Sequence, residues 1–303
     1  MSIVSTLIQR PLTSYRGRFA PSPSGLLHFG SLVTALASYL DAKHQNGTWL
    51  VRIEDIDPPR EQQGATSHIL KTLEAYGMFW DEDVLYQSQQ TALYHDVLYH
   101  LAEQKLSYRC NCTRADIKAL GGVYQAHCKN LAVADKHSSV RLINTIATHQ
   151  YTDLIQGNVS CHQAQAAEDF IIYRKDGLFA YQLAVVVDDI HQGISHIIRG
   201  CDLLEPTARQ LSFFKIIKAQ SPHYGHVPLV VTHEGYKLSK QNKAPAINIK
   251  KPQPSLIQAL DFLGQDPPQE LLSYPLEEIM QWAITHWSID KIAKKTQIVI
   301  KQP

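Results

Sequence analysis

No stretch of this sequence approaches the ~20 consecutive apolar residues that a membrane-spanning helix needs; the densest is LAVVV at 183–187. The opening residues, MSIVSTLIQRPLTS, carry no basic start followed by a long apolar stretch. A secretory leader is therefore not expected, and a cytoplasmic protein with no membrane partner is. An excess of either charge is missing too: 29 basic against 28 acidic residues leave a net charge of +1. That excludes a chain held on nucleic acid by bulk charge alone, while leaving room for a local basic face. Internal repeats and low-complexity tracts are absent. With 44% apolar residues over 303 positions, the chain can build two or three compact units and is not a disordered polymer. Cysteine is sparse, five in all, and without a leader these read as reduced thiols and not as a disulfide frame.

What is present begins with FAPSPSGLLHFGS at 19–31, which cannot be helix at its start and turns apolar at its end. YRGRFA (15–20) before it is a strand candidate. After it, Leu32, Leu36 and Leu40 fall on one helical stripe over 31–44, with Val33 and Tyr39 beside them. Asn46-Gly47 stops that helix, and TWLVRIE (48–54) reads as a strand. Strand, loop, helix and strand make a βαβ unit, whose ligands sit at the strand C-termini near the first helix N-terminus.

Helices are expected at 61–77 and 89–105. Residues 106–165 break the rhythm and read as an insertion between halves of the sheet. Residues 168–187 read as a hairpin, 195–200 as a strand, 205–217 as a helix, and 227–239 as a strand entering a turn. Past Gln241 the pattern is helical, in PSLIQALDFLG and LEEIMQWAITHW, and the segment KIAKKTQIVIK (291–301) reads as a solvated basic tail. That C-terminal stretch is shorter than the ~70–80 residues at which a lone core becomes dependable, so it is expected to pack on the body of the protein.

Two stretches carry chemistry. A helix N-terminus near His28, Gly30 and Ser31 offers free N–H groups and partial positive charge, a seat for phosphate, although neither GxxxxGK[ST] nor GxGxxG spacing is there. The bland alternative is a surface loop in which Ser31 caps a helix. The other stretch, GYKLSKQN (235–242), sets Lys237 and Lys240 three apart after a strand.

Together they resemble the HIGH and KMSKS signatures of class I aminoacyl-tRNA synthetases, here HFGS (28–31) and KLSKQ (237–241). With RFAPSPSG, VRIEDID and HIIRGCDLL in the same order, the chain is similar to glutamyl-tRNA synthetases. The resemblance implies an α/β fold: a Rossmann-type class I catalytic domain split over 15–105 and 168–241, a zinc-containing insertion at 106–167, and a small helical extension at 242–303 with no anticodon-binding domain. It implies that Arg18, Phe19, Ala20, Pro21, Ser22, Glu54, Tyr181 and Arg199 surround L-glutamate, and that His28, Gly30, Ser31 and Lys240 bind ATP. His28, Lys237 and Lys240 would serve catalysis, with magnesium accompanying ATP. The roles are chemically apt, since glutamate brings one ammonium for Glu54 and two carboxylates for arginines. The length and the HFGS and KLSKQN variants resemble one branch of the family. Its members activate glutamate without tRNA and attach it to the queuosine base at the wobble position of tRNA(Asp). A monomer is expected. Rival readings are charging of a tRNA 3′ end, ligation of glutamate to another acceptor, and an inactive RNA-binding paralogue.

Cys110, Cys112 and Cys128 form a tight thiol set suited to tetrahedral zinc. Chemistry alone offers His127 as the fourth ligand, although its neighbour Cys128 would strain such a site; the resemblance implies Tyr124 instead, and one structural zinc per chain. Cys161 and Cys201 read as buried small apolar residues.

Overall fold

A computed structural model describes residues 14–232 and 245–300. Strand β1 (Arg16–Phe19) leads into the Pro/Ser/Gly loop, where Gly25 takes φ 137°, a setting that side chains resist. Helix α1 (Phe29–His44) buries the expected stripe of Leu32, Leu36 and Leu40, with Val33 and Tyr39 buried alongside. It begins two residues earlier than the apolar spacing implied, because Phe29 and Gly30 join its first turn. It stops where Asn46 adopts φ 51° and Gly47 passes so close to Tyr15 that a Cβ would sit 2.8 Å from the Tyr15 carbonyl oxygen. Strand β2 (Thr48–Ile53) then pairs parallel with β1, Arg18 opposite Leu50. Helix α2 (Ala65–Ala75), the short strand β3 (Leu85–Tyr86) parallel to β2, and helix α3 (Thr91–Glu103) complete this half.

The chain next builds β4 (Ser107–Cys110), α4 (Arg114–Ala119), β5 (Ser139–Leu142), β6 (Gln150–Asp153), β7 (Gly157–Ser160), α5 (Gln163–Ala166) and β8 (Phe170–Tyr173). Strands β4, β5 and β8 form an antiparallel sheet. The β6–β7 hairpin leaves that sheet and docks on the main body, the Leu154 N–H donating to the Tyr224 carbonyl at 2.8 Å.

The expected hairpin over 168–187 is half right. After β8 the chain turns, with the Arg174 N–H on the Leu178 carbonyl and Phe179 bridging Tyr173. The return is not a strand: Tyr181–His191 is helix α6. Every residue from Leu183 to Asp189 is buried. A helix enclosed all round shows no apolar stripe, and its three valines mimic strand composition. Strand β9 (His196–Gly200), helix α7 (Leu204–Ile216), β10 (His223–Val227) parallel to β9, and β11 (Leu229–Val231) follow. The Ser195 N–H on the Arg16 carbonyl, 3.0 Å, seats β9 beside β1. The two parallel halves thus meet at β1 and β9, where the chain order switches and such folds place ligands. The rest of the strand and turn expected up to 239 lies outside the described residues from 233 onward.

Helices α8 (Gln253–Phe262) and α9 (Leu276–His286) do pack on the body: Leu256, Leu260, Ile279 and Trp287 share one core with Leu32, Leu36 and Leu40. The indole of Trp287 donates to Asp41 at 2.9 Å. The basic tail expected at 291–301 is corrected. Gln297–Val299 is strand β12, parallel to β11, and the Ile300 N–H reaches the Val231 carbonyl at 3.0 Å. Lys291, Lys294 and Lys295 are exposed as expected, but the β-branched residues after them find a partner far away in sequence. Among the described residues no helix is long and apolar enough to cross a membrane.

Because the C-terminal helices and α1 share a core, Trp287→Ala should cost about 3–5 kcal/mol. Urea unfolding followed by circular dichroism and by fluorescence should shift as one transition; a separate early transition would show that the C-terminal helices fold apart.

Candidate active site

The Pro/Ser loop, α1, β9 and β11 converge on a cavity of about 740 Å³. Its wall contains Arg18, Phe19, Ala20, Pro21 and Ser22 from the first strand and loop, and Glu54 from the end of β2. Tyr181 opens α6 and Arg199 lies near the end of β9, both lining the cavity; His28, Gly30 and Ser31 stand at the start of α1. The structure therefore brings together every described residue expected to touch glutamate or ATP. The Glu54 N–H bonds the Pro21 carbonyl at 3.1 Å, tying the loop to β2.

Ser31 is not the helix cap. His28 holds that position in extended backbone, and its Nδ1 accepts the Ser31 N–H at 3.3 Å. An imidazole that accepts at Nδ1 carries its proton on Nε2, so His28 is set to donate there. Lys237 and Lys240 lie outside the described residues. The described chain on either side borders the cavity: Val230 lines it, and Ala246 forms a bridge with His28 while the Ile247 N–H reaches the Leu27 carbonyl.

The two arginines of the cavity are held in different ways. Arg18 is 4% exposed and fork-bonded to Asp189, through Nε at 3.1 Å and Nη2 at 3.4 Å. Beneath it, fully buried Arg52 contacts Asp189 at 2.8 Å and reaches Asp188 and Glu54 at 3.8 Å each. Asp188 is further held by Gln87 at 2.7 Å and Tyr94 at 2.9 Å. Among the described residues, the hydrogen-bond acceptors of Arg199 are all uncharged: Tyr181, Leu203, Thr207, Gln210 and His226. Its charge is thus left for an anion in the cavity, whereas much of Arg18's fork is committed to Asp189.

The charges are set by this burial. Burial pushes Glu54 up to about 7, against the pull of Arg52 and Arg18, and Asp189 and Asp188 push the same way. Burial also raises Asp188, to about 6. Asp189 moves below the ordinary carboxylate range although burial opposes it, because Arg18 and Arg52 both face it.

Arg52, Asp188 and Asp189 escaped the sequence reading. The signal was there: two adjacent acids ending an apolar run, and an arginine two residues before Glu54 on the same face of a strand.

In the inserted unit, the Sγ atoms of Cys110, Cys112 and Cys128 lie within 4.8 Å of one another, Cys112 and Cys128 at 3.4 Å. Thiolates about 2.3 Å from a tetrahedral zinc stand about 3.8 Å apart, so the donors fit such an ion. Their acidity fits as well. Burial raises Cys110, but hydrogen bonds from Arg141 and Tyr124 bring it down to about 7. Burial, Cys128 and the charge of Cys110 drive Cys112 up to about 12, a conflict that a divalent cation would relieve. The Tyr124 hydroxyl is buried among these sulfurs and accepts the Cys128 N–H at 2.9 Å, while His127 is exposed. Cys201 is buried as expected; Cys161 is only partly so.

With Glu54 titrating near 7, the cavity loses its seat for an ammonium group as the pH falls. The Kd for glutamate, the ligand the motifs imply, should rise by up to about tenfold per pH unit below 7, and binding near pH 6 should release a proton. Calorimetry in buffers of different ionisation enthalpy measures both, and Glu54→Gln should bind weakly with a flat profile.

The chain matches the family model described as tRNA synthetases class I (E and Q), catalytic domain, over residues 14–260. It is 60% identical to a glutamyl-Q tRNA(Asp) synthetase of Colwellia psychrerythraea, covering 97% of this chain and 98% of that one. It is 51% identical to a protein of the same name from Escherichia coli O6:H1, covering 92% and 91%. The fold matches a glutamate-tRNA synthetase from Elizabethkingia anophelis with TM-score 0.78 at 22% identity, over 95% of this chain and 68% of that one. The chain belongs to the glutamyl-Q tRNA(Asp) synthetase family, built on the class I (E and Q) catalytic domain.

Proposed function

We propose that this chain activates L-glutamate with ATP, without needing RNA, and transfers it to the queuosine base at the wobble position of tRNA(Asp). The observation that carries the reading is a single cavity lined both by Glu54, Tyr181, Arg18 and Arg199 and by the N-terminus of α1. The names of relatives 51–60% identical over nearly the whole chain point the same way.

In the first step an oxygen of the glutamate α-carboxylate attacks the α-phosphorus of ATP. The bond to the β-phosphate bridging oxygen breaks, and pyrophosphate leaves with that electron pair. Glu54 takes the ammonium, Arg199 and Arg18 the carboxylates. The negative charge that grows on the phosphates meets the N–H groups of α1, the Nε2–H of His28 and the ammonium groups of Lys237 and Lys240. Magnesium enters with ATP as part of the substrate. In the second step a hydroxyl of the queuosine cyclopentenediol attacks the acyl carbon. An ester forms, AMP leaves, and the hydroxyl proton passes to the AMP phosphate.

Residues 15–105 and 168–241 serve as the catalytic domain in this reading, 106–167 as the inserted unit and 242–303 as a mainly helical extension that also holds β12. Cys110, Cys112, Cys128 and Tyr124 would hold one zinc. Its chemistry there is structural cross-linking of β4 to the segment around Cys128, where the thiols are themselves most of the local core.

Acceptor mapping tests the function. Wild-type protein should exchange pyrophosphate into ATP with glutamate alone. It should then label the anticodon fragment of tRNA(Asp) that carries queuosine, even after periodate treatment of the 3′ end; label on the terminal adenosine, or exchange that requires RNA, overturns the reading. For the metal, zinc should be stoichiometric with wild-type chain by elemental analysis and lost in Cys112→Ser, with destabilisation of the inserted unit.

A further inference from the structure

A guanidinium carries five N–H donors. Four of those on Arg199 are spent inside the protein. Nε donates to His226 Nε2 at 3.1 Å, and Nη2 to Thr207 Oγ1 and Gln210 Oε1 at 2.7 Å each. Nη1 reaches the Tyr181 oxygen at 3.4 Å. Among the described residues, nothing takes the second Nη1 hydrogen, which is left for the cavity. The Tyr181 hydroxyl, which accepts from Arg199 and also meets Gln210, lines the cavity beside it. The Tyr224 ring supports the guanidinium 4.9 Å away.

His226 can accept from Arg199 only as the tautomer protonated on Nδ1. That proton faces Asp153, with Nδ1 and Oδ2 at 2.5 Å and both side chains inaccessible to solvent. The other oxygen of Asp153 takes the backbone N–H groups of Ile155, Gln156 and His226 at 3.0, 2.8 and 3.1 Å. Burial, and then Arg199, hold the His226 imidazole below its usual range despite Asp153. Asp153 also lies below the ordinary carboxylate range, although burial opposes it, chiefly through its bond to His226. The pair is therefore a carboxylate and a neutral ring. Asp153 ends β6, so a hairpin that contributes no residue to the cavity wall reaches the substrate site through one imidazole.

We infer that His226, oriented by Asp153, is a positioning residue for Arg199: it holds the guanidinium so that a substrate carboxylate meets the remaining Nη1–H beside the Tyr181 hydroxyl. This rests on the reading that Arg199 binds glutamate.

The test is glutamate-dependent pyrophosphate exchange on the full chain, with KM for glutamate, KM for ATP and kcat measured separately for His226→Leu, His226→Asn and His226→Gln. The Gln amide reaches the Nε2 position and keeps an acceptor for Arg199; the Asn amide reaches only the Nδ1 position. Leu and Asn should raise the glutamate KM roughly tenfold or more, with the ATP KM within about twofold, and Gln should recover most of the loss. Equal glutamate KM values for Asn and Gln, or a defect confined to kcat, overturn the positioning role while leaving the proposed function standing. Should the Leu variant not fold, the Asn and Gln pair decides the question alone. Absence of exchange in the wild type overturns the functional reading, and this inference with it.

Discussion

Everything at the active end of this protein depends on keeping arginines charged where there is no water. Arg52 is wholly enclosed and Arg18 nearly so, and such burial costs several kcal/mol per ion unless charges oppose it. The fold meets that demand by aiming the last turns of a buried helix, Asp188 and Asp189, at the ends of two strands. The arrangement is over-determined in one direction. Arg18 and Arg52 face Glu54, Asp188 and Asp189, so the cluster carries one negative charge more than it balances, and burial answers by raising Glu54 and Asp188. An ammonium group placed against Glu54 supplies the missing positive charge. The pocket is thus charged to receive a cationic group at Glu54, as the proposed glutamate would supply.

The second arginine follows the opposite logic. Arg199 sits in a cage of neutral acceptors, which hold its plane without cancelling its charge. A carboxylate finds there a cation that costs nothing to uncover, whereas at Arg18 it must share the guanidinium with Asp189. One site draws on an unspent charge and the other on a stiff, pre-paired one. Two unlike cationic anchors and a carboxylate lining one cavity suit a ligand that carries two carboxylates and an ammonium group.

Much of this was legible before any coordinates. The βαβ unit and the stop at Asn46-Gly47 followed from local chemistry, prolines and glycines that forbid helix and an apolar stripe, while the cavity residues followed from the resemblance of their motifs to a known family. What was hidden depended on distant partners. Helix α6 looked like strand because full enclosure erases the polar face. Strand β12 looked like a solvated tail because its pairing partner lies far back in the sequence. Arg52, Asp188 and Asp189 looked like ordinary charges, since nothing in a single sequence says that an acid ending an apolar run faces a buried arginine. Helix α1 began at Phe29 and not at Ser31 because an imidazole, a poor cap by propensity, takes the Ser31 N–H.

The pairing of β11 with β12 ties the pocket to the C-terminal region. Val230 stands in the wall of the pocket, and the strand that carries it leads directly into the segment with Lys237 and Lys240. Its hydrogen-bonding neighbour is synthesised only after α8 and α9. The part of the cavity that Val230 supplies is thus braced by residues that follow both C-terminal helices, and a change that unseats those helices would be felt in the pocket as well.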